Sequence, residues 1–74
     1  MRNLTQIPVG ETTSLLNIED RLMASKLYTM GLLPNTKVEV IRKTYNNSTY
    51  YIKVNKNQII IIRKNEAEKI FVKE

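Results

Sequence analysis

Apolar positions recur at helical spacing over one short stretch of this chain and alternate over most of the rest. Met23, Leu27 and Met30 stand at i, i+4 and i+7, so they share one face of a helix running from about Arg21 to Met30. Arg21, Ser25 and Thr29 lie opposite. Asp20 is placed to cap the helix, and Glu19 and Asp20 both suit the positive end of its dipole. A helix this short is marginal alone in water, so the Met-Leu-Met stripe reads as core packing rather than as an adaptable partner groove.

The remaining pattern is that of strands. Thr12 to Ile18, Thr36 to Thr44, Thr49 to Asn55, Gln58 to Arg63 and Lys69 to Lys73 give five. Leu4 to Ile7, broken by Pro8-Val9-Gly10, reads as a turn or short strand closing on the core. Tyr50, Ile52 and Val54 share a face, as do Ile70 and Val72. Ile59 to Ile62 are consecutive, which predicts a strand apolar on both faces, central or covered on its outer side. If Ile52 and Val54 pair inward with Ile60 and Ile62, the loop Asn55-Lys56-Asn57 must have an odd length. Lys64 to Ala67 is a polar turn, at most one turn of helix, with Glu66 and Glu68 facing solvent if Ala67 points inward.

Helix and strands meet at one joint, Gly31-Leu32-Leu33-Pro34-Asn35-Thr36. Gly31 can take the positive φ that ends a helix. Pro34 pre-sets φ for the second position of a β-turn, and Asn35 tolerates the positive φ of the third position in a type II turn. Gly10 suits a turn of its own. Short strands, tight turns and one helix predict a mainly β fold, a small barrel closed or nearly so, in a single domain over 1–74.

Composition narrows the function. The chain has 74 residues and a formal charge of +5, from 12 Lys+Arg against 7 Asp+Glu. Such a charge favours acidic partners or keeps a small protein soluble. No apolar run approaches the roughly 20 residues of a membrane span. Without cysteine there is no disulfide and no thiolate site, which fits a reducing, cytosolic compartment. Without histidine the commonest general base is missing as well. The two glycines are far apart and form no phosphate loop. Glu19-Asp20 could offer oxygens to a hard cation, but helix capping accounts for the pair more simply. Arg42, Lys43, Tyr45, Tyr51 and Lys53 interleave basic and aromatic residues around one hairpin, which raises single-stranded nucleic acid as an alternative ligand. Charge and aromatics do not fall on one obvious stripe, so that reading comes second.

Leu27-Tyr28-Thr29-Met30-Gly31-Leu32-Leu33-Pro34-Asn35, followed by Val38-Glu39-Val40 and later by Ile60-Ile61-Ile62-Arg63 and Glu66-Ala67-Glu68-Lys69-Ile70, resembles the FeoA family over essentially the whole chain. Asn35 stands where that family usually has glycine. A glycine is also missing between the strands at 49–55 and 58–63, where Asn55 or Asn57 can serve instead. The resemblance implies an SH3-like five-stranded β-barrel with one inserted short α-helix. It implies a cytosolic, non-enzymatic accessory protein of ferrous iron uptake, at the inner membrane face only through its partner. That partner would be FeoB, a membrane transporter with a cytosolic GTPase domain. No cofactor, direct Fe²⁺ site, nucleic acid or membrane insertion is expected, and weak self-association is left open. Two adjacent leucines in a tight turn cannot both enter the core, so Leu32 or Leu33 should be exposed beside Tyr28, and Tyr28, Leu32 and Leu33 are the expected partner contacts. Gly10, Gly31, Pro34 and Asn35 are the expected structural turn residues.

Overall fold

The computed structural model describes residues 1–55 and 57–74. They form six antiparallel strands: β1 (Arg2–Asn3), β2 (Thr12–Ile18), β3 (Lys37–Lys43), β4 (Thr49–Val54), β5 (Gln58–Arg63) and β6 (Ile70–Val72). Helix α1 spans Arg21–Thr29, the single-turn α2 spans Lys64–Ala67, and a 3-10 turn occupies Leu4–Gln6. The strands lie in the order β1-β6-β2-β3-β4-β5.

The expected count of five strands is corrected by β1. Its two residues pair with β6, Arg2 opposite Val72 and Asn3 opposite Phe71. Two residues are too few to display a period, so the pattern of the chain does not announce this strand. Arg2 reinforces the pairing. It forms an ion pair with Glu11 at 2.8 Å and donates from Nη2 to the Lys73 carbonyl at 2.9 Å.

β2 serves two half-sheets. Thr12 to Ser14 pair with β3, and Leu15 to Ile18 pair with β6, with a bulge at Leu16 where the register shifts. A bulge adds local twist and bends a strand. It lets β2 turn from one half-sheet into the other, and the sheet wraps around a single core. The two end strands, β1 and β5, are not joined by a ladder. The 3-10 turn and α2 pack on each other and lie between β6 on one side and β4 and β5 on the other. Leu4 and Ala67 are the fully buried residues of these two segments, and Ile7, just after the 3-10 turn, is fully buried as well.

The inward face is the one that alternation predicts. Val38 and Val40 of β3, Tyr50, Ile52 and Val54 of β4, and Ile70 and Val72 of β6 are all buried. Ile52 lies opposite Ile60 and Val54 opposite Gln58, so three positions, 55–57, connect the strands and the loop length is odd. Asn55 supplies the positive φ there, at 58°. Lys56 falls outside the described residues. β5 differs from expectation. It is the last strand of the sheet rather than a central one, and Ile59 and Ile61 are 52% and 60% exposed. Only Ile60 and Ile62 turn inward. The run of four isoleucines therefore reflects the preference of β-branched side chains for strands, not burial of both faces.

α1 begins and ends close to prediction. The Asp20 carboxylate accepts from the Met23 amide at 3.1 Å and stands 3.6 Å from the Lys69 ammonium. The buried face centres on Ala24 and Leu27, with Met23 and Met30 partly buried against the core.

The hydrogen bond from the Met23 amide holds the Asp20 carboxyl below the ordinary aspartate range; desolvation opposes this and Lys69 assists it. A carboxyl whose pKa is lowered by folding stabilises the fold above its unfolded value, about 3.9, and loses that contribution as pH falls through the folded value. Asp20→Ala is expected to lower the thermal midpoint at pH 7. The gap to the parent protein should shrink below about pH 4. Melting followed by circular dichroism from about pH 2 to about pH 7 reads both effects.

Candidate docking surface at the helix–strand joint

The joint is built by backbone hydrogen bonds. The Gly31 amide donates to the Tyr28 carbonyl and the Leu32 amide to the Leu27 carbonyl, both at 3.0 Å. This pair is the Schellman arrangement, which occupies carbonyls a helix end leaves free. It requires positive φ at the residue after the cap, and Gly31 stands at +92°. A Cβ there would meet ordinary contacts with the Gln58 and Asn55 side chains, so backbone conformation rather than space demands glycine. The motif also brings the next residue back toward the helix. Leu32 accordingly lies in the core with Leu27 and is 0% exposed.

The chain then reverses through Leu33-Pro34-Asn35-Thr36. The Thr36 amide donates to the Leu33 carbonyl at 3.0 Å, and Asn35 has a φ of 71°. This is the type II pattern, with proline at the second position and asparagine replacing glycine at the third. The Thr36 hydroxyl accepts from the Leu33 amide at 3.2 Å. Beyond the turn, the Asn35 amide donates to the Leu15 carbonyl and the Leu15 amide to the Thr36 carbonyl, each at 2.8 Å. The joint is thus stitched to the middle of β2. Gly10, with φ +94°, forms a second turn, closed by the Glu11 amide on the Pro8 carbonyl.

The surface left by this geometry is apolar and rigidly held. Leu33 is 47% exposed and Tyr28 37%. Leu32 is removed from the expected contact set, because the helix cap sends it inward. Two further exposed apolar places were not anticipated from sequence. Leu22 is 85% exposed and borders a shallow cleft of about 330 Å³ with Met23, Lys26 and Glu66. Its signal was available, since position 22 falls with Lys26 and Thr29 on the polar side of a 23/27/30 stripe. The other is the outer face of β5.

The five residues of the nucleic-acid alternative are divided. Arg42 lies 5.5 Å over the Tyr51 ring, and Lys53 follows on the same strand face. Lys43 lies over Tyr50 instead, and Tyr45 is fully exposed at the hairpin tip. Among the described residues no three of His, Cys, Asp or Glu cluster as metal ligands, and no helix is long and apolar enough to cross a membrane.

A small antiparallel domain of curled strands, with an apolar turn at its surface, is the class this arrangement defines. The model of the FeoA domain matches residues 2–74, and the chain belongs to the FeoA family. No curated protein matches it. Among solved structures, the FeoA protein of Chlorobium tepidum superposes with a TM-score of 0.89 at 22% identity, covering 96% of this chain and 68% of that one. FeoA of Stenotrophomonas maltophilia in complex with zinc gives 0.84 at 17%, covering 99% and 91%. That protein is described as a prokaryotic SH3 domain protein and a candidate activating factor for ferrous iron transport. A manganese-dependent transcriptional repressor gives 0.85 at 16%, covering 96% of this chain and 35% of its own. The fold is therefore the SH3-like one, drawn here with six strands. The family is a small accessory domain linked to ferrous iron transport and is not a known enzyme family.

The two leucines separate stability from surface. Leu32→Ala should cost about 2–5 kcal/mol, as for a buried leucine. Leu33→Ala should stay within about 0.5 kcal/mol. Urea unfolding midpoints of the two variants check the contrast.

Proposed function

We propose that this protein is a non-enzymatic accessory of bacterial ferrous iron uptake that binds the cytosolic, GTPase-bearing part of the FeoB transporter. Family membership supports the pathway. The observation that carries a binding role is the exposed Leu33, held between a helix cap and a type II turn whose amides are already engaged. An apolar side chain on a pre-organised turn can be buried by a partner without a further ordering cost in the backbone. Tyr28 adds an amphipathic ring at the same helix end, of the type enriched at protein interfaces. The chain's own residues supply contact area and charge. The absent histidine and cysteine leave no familiar nucleophile–base pair. Regulation by binding, in the cytoplasm and at the inner membrane face through the transporter, is the role that fits these parts.

Leu33→Asp is expected to weaken binding to the purified cytosolic domain of the transporter at least tenfold (about 1.4 kcal/mol) while the melting curve is unchanged. Calorimetric titration with and without GTP measures it. Undiminished binding by the folded variant would remove the joint from the interface. No binding by the parent protein would remove the partner.

A further inference from the structure

We propose that the free edge of β5 is a strand-addition site for an extended, acidic and apolar segment of another protein. The inference concerns a second surface and does not depend on which protein binds the helix joint.

The hydrogen-bond alternation shows which groups are free. The Lys64 amide donates to the Ser48 carbonyl at 2.9 Å, in register with Thr49 opposite Arg63. In an antiparallel ladder the residues that bond to the neighbour alternate. Ile62, Ile60 and Gln58 therefore direct their backbone groups to β4, and Ile59 and Ile61 direct theirs away from the sheet. Arg63 confirms the phase, because its amide turns outward to the Glu66 carboxylate at 3.1 Å. No backbone bond outside the β4 ladder reaches Ile59 or Ile61 among the described residues. The same two residues carry the exposed side chains of the strand. Backbone and side chains at Ile59 and Ile61 are thus open together, on the last strand of the sheet. Natural edges usually carry a charge, a proline or a bulge in such a stretch. Ile59 to Ile62 carry none.

The kind of partner follows from chemistry. Outward N–H and C=O groups alternating along a strand are matched by a peptide main chain, which offers both at the strand spacing. Lipid headgroups and nucleic acid do not offer that repeat. The side chains beside the edge set the composition. Tyr51 lies opposite Ile61, and Lys53 lies opposite Ile59. Arg42 stacks on Tyr51, and Arg63 follows two residues after Ile61. Glu39, paired across from Lys53, and Glu66 are the carboxylates nearby, so cations prevail. An added strand with apolar residues against Ile59 and Ile61 and carboxylates toward Arg42, Lys53 and Arg63 complements both features. A second copy of this chain brings another +5 and is disfavoured on that ground.

The test uses the full ¹⁵N-labelled chain and a blocked peptide of alternating valine and glutamate at millimolar concentration. Saturable shifts and slowed hydrogen exchange are expected at the Ile59 and Ile61 amides, weakening as salt is raised. A valine–lysine peptide should bind at least tenfold more weakly. Ile61→Pro removes an amide that makes no bond to β4 and should abolish the effect. Ile61→Lys, a change on an exposed side chain, should weaken it with the fold intact. Shifts centred elsewhere, equal binding of the lysine peptide, or no protection at either amide would overturn the proposal. So would protection of these amides by the protein's own self-association, or by phosphatidylglycerol vesicles in place of the peptide.

Discussion

Termination of the helix at Gly31 is the constraint on which the rest of the molecule depends. A nine-residue helix cannot stand alone, so its end must deliver the chain directly into the sheet. The Leu32 amide on the Leu27 carbonyl does this. It fixes the direction of exit, folds Leu32 back into the core and leaves Leu33 outside. Pro34 and Asn35 then complete a reversal that places Thr36 beside Leu15. Had the helix continued for another turn, β3 would not meet β2 in register. The same few bonds that define the core on one side define the candidate surface on the other.

The sheet solves a second problem, that of enclosing a core with few residues. Small domains bury a modest share of their surface, so each strand must contribute to closure. β2 does so twice, pairing with β3 before the Leu16 bulge and with β6 after it. A second register shift between Val40 and Arg42 bends β3 similarly. These bends bring the half-sheets over a common interior, and the 3-10 turn with α2 occupies the gap between the end strands. The exposed edge of β5 is the residue of that solution, a place where closure by backbone pairing stops.

The proposed function is one of contact, and the surface bears on it directly. The chain belongs to the FeoA family, and its structure presents rigid apolar positions among cations. Two such positions stand apart in character. The helix joint offers side chains on a turn whose amides are satisfied, whereas β5 offers backbone and side chains together. They suit different modes of recognition, one by packing into a pocket and the other by extending a sheet. Under the two proposals, a domain with both surfaces would hold two segments at once.

Local pattern determined the elements of this protein. Asp20 as cap, Gly31 as helix stop, Pro34-Asn35 as turn and the inward alternation of β3, β4 and β6 follow from steric and hydrogen-bonding rules that operate over a few residues. The family resemblance was legible for the same reason, since those positions carry it. Tertiary structure decided what depends on residues far apart in the chain. β1 exists because β6, at the opposite end of the sequence, offers it a partner. Of Leu32 and Leu33, their adjacency in a tight turn could say that one is exposed, but the closure of the helix cap against the core chose Leu33. The four isoleucines of β5 read as buried on both faces because composition registers apolarity and not position. Only the order of strands shows that nothing follows β5, and so leaves Ile59 and Ile61 open to solvent.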